Sequence, residues 1–251
     1  MRQALVEKIN HINLEFYQTF ASSFSATRGR VQPGVRKILD GLPAGGSWLD
    51  IGCGNGTLAE TFLERGREGR YFGLDASSAL VEHARDKISR MENPGGLDIK
   101  FEMIDFLGDG WRERIPDAHW HGAFMFAVLH HVPGKKQRLE MIREINSLLD
   151  EGAELYLSVW QVQKSPRLVR RLVPWDEVDI DGTEVDEGDV LMDWRAEGEG
   201  EPDEKGIRHV HIFTEDELSD LGEKCGFAVK DRFYSDGKEG NLGLYQVWSK
   251  K

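Results

Sequence analysis

From Trp48 onward, short apolar runs alternate with stretches in which apolar positions recur every three or four residues. The first kind predicts strands over Ser47–Gly52, Arg70–Asp75, Ile99–Asp105, His121–Leu129 and Ala153–Trp160. The fourth of these is apolar throughout, which suits a strand covered on both faces. The second kind predicts helices over Asn55–Arg65, after Ser77 with Leu80, Val81, Ala84 and Ile88 on one face, and over Gly134–Asp150 with Leu139, Ile142, Ile145 and Leu149 on one face. The pattern breaks after Trp160 and resumes at Thr214, where Thr214 and Glu217 form a capping box for a helix that Gly226 ends. Two more strands, Phe227–Ser235 and Leu242–Ser249, flank a glycine-containing turn, and helices over Leu5–Phe20 and Val31–Leu39 lie upstream. Five strands with helical crossovers, followed by a hairpin, predict an α/β fold with a mostly parallel seven-stranded sheet and helices on both faces. We expect a single domain over 1–251: N-terminal helices in 1–46, a core in 47–160, a cap insertion in 161–212, and the last helix with two closing strands in 213–251.

Composition adds two restrictions. The longest apolar run, Ala123–Leu129, is far short of the roughly 20 residues a membrane helix needs, and Glu7, Lys8 and Asn10 stand where a signal peptide would be apolar. With only Cys53 and Cys225, neither a disulfide framework nor a metal-binding spacing is expected, and a cytoplasmic setting fits. The formal charge of −12 belongs to one stretch: residues 176–204 carry 14 acids and a single base, Arg195, and the rest of the chain is close to neutral. A small basic patch, Lys164, Arg167, Arg170 and Arg171, precedes it. The acidity therefore neither favours nor forbids a nucleic-acid partner for the remaining surface.

Candidate chemistry begins at Asp50-Ile-Gly52-Cys-Gly54-Asn55-Gly56, where the first strand turns into the first crossover helix. Glycines there allow a tight turn and close approach of a ligand to free helix-terminal amides. The third glycine comes one residue too early for the dinucleotide fingerprint. Asp75 ends the second strand 19 residues after Gly56, where a carboxylate meets ribose hydroxyls, and Asp105-Phe106 ends the third. Three aspartates at the carboxyl ends of successive strands describe one ligand-binding edge.

With these motifs the chain resembles the class I S-adenosylmethionine-dependent methyltransferases, whose Rossmann-like seven-stranded sheet has its last strand antiparallel. The resemblance implies S-adenosylmethionine as cofactor and S-adenosylhomocysteine as product. It implies that Asp50, Gly52, Gly54 and Gly56 bracket the methionine part, Asp75 the ribose, and Asp105 and Phe106 the adenine, with Asn55, Ala76 and Ala127 completing the set. Tyr17 either closes over the methionine end or belongs to a core face with Leu14 and Phe20. A narrower set of segments, Tyr17 to Arg28, Val128-Leu-His130-His131, Val159-Trp160, Pro174-Trp175 and Arg208-His-x-His211-x-Phe213, is similar to the tRNA methyltransferases that esterify wobble 5-carboxymethyluridine. That implies a tRNA partner; eukaryotic relatives work with a small activator subunit, which the acidic segment would either replace or recruit.

A carboxylate acceptor is ionised at neutral pH, so its methylation needs alignment and cations rather than a strong base. Arg28, His131, Arg208 and His211 are the candidates, with His209 beside them. Trp160, Trp175 and Trp194 are read as packing before base stacking. Two other readings stay open: a small-molecule O- or N-methyltransferase with the insertion as a lid, and a non-catalytic adenosyl-binding protein.

Overall fold

In the computed structural model, which describes residues 1–26, 29–195 and 205–251, five strands run parallel: β1 (Ser47–Ile51), β2 (Arg70–Asp75), β3 (Asp98–Met103), β4 (Trp120–Phe126) and β5 (Leu149–Trp160). The full sheet has the order β3-β2-β1-β4-β5-β10-β9, in which β10 (Gly243–Lys250), last in the chain, lies between β5 and β9 (Phe227–Ser235) and runs antiparallel to both. Alternation along each strand divides the core. Leu49 and Ile51 of β1 face α6 (Lys135–Leu148) and α8 (Glu215–Lys224), whereas Trp48 faces α3 (Pro33–Asp40), α4 (Thr57–Glu64) and α5 (Ser78–Ile88). The expected caps form: the hydroxyl oxygens of Ser77 and Thr214 accept from the amides of Leu80 and Glu217 at 3.3 and 3.1 Å.

Two expectations need correction. The fourth strand stops at Phe126 instead of Leu129, because Ala127 takes a left-handed conformation (φ 57°) and Leu129–His131 form one 3-10 turn. The insertion is more regular than its broken pattern predicts. It holds a short helix α7 (Pro166–Val169) and a three-stranded antiparallel sheet, β6 (Leu172–Val173), β7 (Asp189–Arg195) and β8 (Lys205–His211), in that order. A further helix, α2 (Ala21–Ala26), follows α1 (Gln3–Thr19) and is too short to signal itself by periodicity.

The cap sheet lies against α1 by close approach. A Cβ at Gly206 of β8 would come within 2.6 Å of the Phe20 ring and 2.8 Å of Phe16, so only glycine lets the strand meet the helix. Trp194 of β7 closes the contact edge-on to both rings, with centroids 5.0 and 5.8 Å away, which is the packing role expected of it. Three acids of the described acidic segment meet cations: Glu184 pairs with Arg2, Glu177 with Lys205, and Asp186 with the Met1 amino group. Residues 196–204 lie outside the described residues.

A buried charge cluster fastens cap to core. Asp189 Oδ1, at the start of β7, lies 2.6 Å from His211 Nδ1, 3.0 Å from His209 Nε2 and 3.7 Å from the Arg138 guanidinium of α6. The other His211 nitrogen meets Glu217 of α8 at 2.9 Å. Burial alone would push the His211 ring down, but carboxylates at both nitrogens hold it above its ordinary value. His209, also buried, is pushed down despite Asp189. Desolvation would raise the Asp189 carboxyl, yet its two histidine partners hold it well below the carboxylate range.

A raised histidine pKa contributes stability that is complete below the unfolded value of about 6.5 and is lost as pH rises through the folded value. Wild-type unfolding free energy should therefore decline as pH rises above about 6.5, where the depressed His209 has already lost its proton in both states, and His211→Gln should flatten that decline. Urea titrations across that range check it, and an unchanged slope in the variant would remove His211 as the source.

Candidate functional site

Strand order reverses between β2-β1 and β4-β5, and at the carboxyl ends of these strands a cavity of about 490 Å³ opens. The loop after β1 forms its floor with Gly52 and Gly54. Gly52 (φ 74°) packs so tightly on Val128 that a Cβ would lie 2.4 Å from Cγ2. Asp75 braces this loop, because its Oδ2 accepts from the Gly54 amide and its Oδ1 from the Ser77 amide, both at 2.9 Å. Burial raises the Asp75 pKa against these two bonds, which favour the charged form. Ala76 lies beside it on the wall. Asp105, whose Oδ1 accepts from the Leu107 amide at 3.0 Å, forms the next part of the wall with Phe106 and Leu107. Opposite them, the Ala127 amide donates to the Ser158 carbonyl at 3.0 Å and thereby sets the left-handed turn that exposes the end of β4.

Three motif residues stand behind this surface instead of on it. Asp50 shares its face of β1 with Trp48, away from the cavity lining, and its carboxylate accepts from the Tyr71 hydroxyl. Burial pushes the Asp50 carboxyl up to about 7, opposed by that hydroxyl and assisted by the nearby Asp75 charge. Asn55 holds the chain locally, accepting from Thr57 Oγ1 at 2.8 Å and donating to the Ser25 carbonyl at 3.4 Å. Gly56 supplies the left-handed cap of α4 (φ 75°), where a Cβ would press on Ala84 at 2.9 Å.

The remaining wall comes from α1 and the turn after β4. Glu7, Asn10, Leu14 and Tyr17 share the helix face that meets the cavity. The Tyr17 hydroxyl lies 2.7 Å from His131 Nε2, so Tyr17 belongs to the site as well as to the α1 packing. Trp160, at the end of β5, is also part of the lining. Arg208 of β8 is not part of the lining but sits behind Tyr17 and Trp160, only 5% exposed, its guanidinium 4.9 Å from the Phe16 ring and 4.6 Å from Trp160. Its Nε and Nη1 have no hydrogen-bond partner among the described residues. Burial pushes the guanidinium below its ordinary pKa, opposed by the Tyr17 hydroxyl.

His211 departs from its expected role. It lies within the Asp189–Glu217 cluster, where both ring nitrogens are engaged, and does not line the cavity. Arg28 lies outside the described residues. The α1 residues Glu7 and Asn10 and the apolar Leu80, Phe126 and Val132 are additional wall residues. For the first two a signal existed: polar positions at helical spacing with Leu14 and Tyr17 on a helix that otherwise buries Leu5, Val6, Ile9 and Phe16.

The sequence matches the family described as a methyltransferase domain over residues 24–231. It is similar to a tRNA (carboxymethyluridine(34)-5-O)-methyltransferase of Mus musculus, at 26% identity over 222 residues covering 86% of this chain but 31% of that protein. A Schizosaccharomyces pombe protein of the same description is 27% identical over 245 residues, covering 91% of this chain and 94% of its own length. The chain thus spans under a third of the first relative and nearly all of the second. Among solved structures, one described as a SAM-dependent methyltransferase from Methanosarcina mazei superposes with a TM-score of 0.63 at 25% identity, covering 88% of this chain and 98% of the other.

The floor geometry predicts a specific coupling. Gly52→Ala adds both left-handed strain and the clash with Val128, and should cost about 2 kcal/mol or more of unfolding free energy. In a Val128→Ala background the clash is gone and the same change should cost at least about 1 kcal/mol less, measured as a double-mutant cycle in urea. Additive costs would show that the two side chains do not compete for this space.

Proposed function

Because this chain belongs to the methyltransferase-domain family and is an S-adenosylmethionine-dependent methyltransferase, we propose that its acceptor is the carboxylate of 5-carboxymethyluridine in tRNA. The product would be the methyl ester. The cavity suits the cofactor. Gly54 lies on the floor with no atom within 4 Å of the place a Cβ would take, so its backbone is bare toward a ligand. Asp75 would hold the ribose with the lone pairs its amide partners leave over, and Asp105 with Phe106 would flank the adenine. When bound, the cofactor supplies a methyl group on a positively charged sulfur.

The observation that carries the acceptor reading is Arg208. A guanidinium this deeply buried, with Nε and Nη1 both unbonded among the described residues, carries a desolvation cost that an anionic acceptor would offset. Phe16 and Trp160 flank the guanidinium, so its place is set before an acceptor arrives. No general base is required, since the acceptor is already an anion; the protein's work is to align it and balance its charge. The nucleotide part of the reading is supported by the described activity of the mouse and fission-yeast relatives.

The test incubates the protein with methyl-labelled cofactor and tRNA whose wobble esters have been saponified, beside untreated tRNA and a metabolite extract. Base-labile label confined to saponified tRNA is the expected result. Label found only in the extract would move the acceptor to a small molecule. Arg208→Lys keeps the charge and loses the fork; transfer should fall roughly ten- to a hundredfold with cofactor affinity within about twofold of wild type. Undiminished transfer in that variant would remove Arg208 from acceptor binding.

A further inference from the structure

We propose that Asn13 is a positioning residue that sets the proton arrangement of the Tyr17–His131 pair at the cavity wall. Asn13 lies in the interior of α1, 5% exposed, between Ile12 and Leu14; it borders the cavity, but its amide is spent on bonds within the protein. Asparagine is a weak helix former, and burying its amide is costly without partners. Both ends of this amide are engaged. Its Nδ2 donates to the His131 carbonyl at 2.8 Å, and its Oδ1 accepts from the His209 amide at 2.7 Å. The third contact joins those two residues: His131 Nδ1 lies 2.8 Å from the His209 carbonyl oxygen.

The three bonds form a closed cycle through α1, the turn after β4 and the cap strand β8. Each member donates once and accepts once, which removes the usual ambiguities of such groups. Only NH2 can meet a carbonyl and only the amide oxygen can meet an N–H, so the Asn13 orientation is fixed. A carbonyl only accepts, so His131 Nδ1 carries a proton. In the neutral ring Nε2 is then bare and accepts from the Tyr17 hydroxyl 2.7 Å away. The phenol proton is turned toward His131, so the Tyr17 oxygen meets the Arg208 guanidinium as an acceptor. Asn13 acts on the site through His131, and the consequence for turnover rests on the methyl-transfer reading. The tautomer does not.

The test therefore reads the tautomer directly. Long-range nitrogen-15 NMR correlations of the histidine rings are recorded on the full chain with S-adenosylhomocysteine, with His131 assigned by its loss in His131→Gln. The wild type should show His131 protonated at Nδ1. In Asn13→Ala the turn and β8 are released from the helix, and the ring should become mixed or shift to Nε2–H. Asn13→Asp retains the acceptor for His209 and sets an oxygen against the His131 carbonyl; it should give the same ring signature and covers the case in which the alanine variant does not fold. On saponified tRNA both variants should lose roughly ten- to a hundredfold in kcat, with the KM for S-adenosylmethionine within about twofold. A wild-type ring protonated at Nε2, or a wild-type ring spectrum in both variants, would overturn the proposal. Wild-type protein silent toward tRNA would sink the acceptor reading while leaving the NMR comparison able to decide this one.

Discussion

Everything at the site depends on one topological constraint: the chain leaves β1 toward one face of the sheet and β4 toward the other. Leu58, Ala59 and Phe62 of α4 pack with Trp48, whereas Met141, Ile142 and Ile145 of α6 pack with Leu49 and Ile51. Crossovers that diverge in this way leave the carboxyl ends of the two central strands uncovered, with backbone amides and carbonyls that need partners. The glycine loop, the Asp75 brace and the left-handed Ala127 turn are local answers to that gap. Each leaves part of it open, and the opening is the cavity.

The cap over this opening is held by buried polar contacts as well as by apolar packing. Helix α1 and the cap sheet meet the core through the Asn13 cycle on one side and the Asp189 cluster on the other, and His209 belongs to both. Buried groups of this kind contribute little net stability compared with apolar packing, but they tolerate few alternative arrangements. A wall that must present Tyr17, His131 and Trp160 in one geometry gains from such intolerance.

Much of the sheet was legible because its strands are buried on both faces and their crossover helices are amphipathic. The glycine-rich turn and the strand-end aspartates were legible because backbone sterics and carboxylate chemistry restrict what can occupy those places. Legibility failed where tertiary contacts override local pattern. β7 alternates Val190, Met192 and Trp194 with other residues, but the surrounding acids hide a strand whose first residue, Asp189, is matched by Arg138, His209 and His211 from elsewhere in the chain. His211 carries the residue type of a site and serves as a rivet, because only the folded chain brings Asp189 and Glu217 to its two nitrogens. Asp50 sits in the most recognisable motif of the chain and meets Tyr71 of β2, two positions before its own register partner Gly73. Asn13 gave no signal beyond being a polar residue among apolar ones.

The position of β10 governs how such a chain is made. Its partner β5 is complete by Trp160, but the strand that covers it, with Tyr245 opposite Ser158, is synthesised more than 80 residues later. Until then Leu155, Leu157 and Val159 stand on an open sheet edge, the kind of surface that recruits other strands. The cap segments and α8 must emerge before this edge closes. The parallel half of the sheet is thus born before its own boundary, and a ribosome pausing within the cap would hold the nascent protein in its most adhesive state.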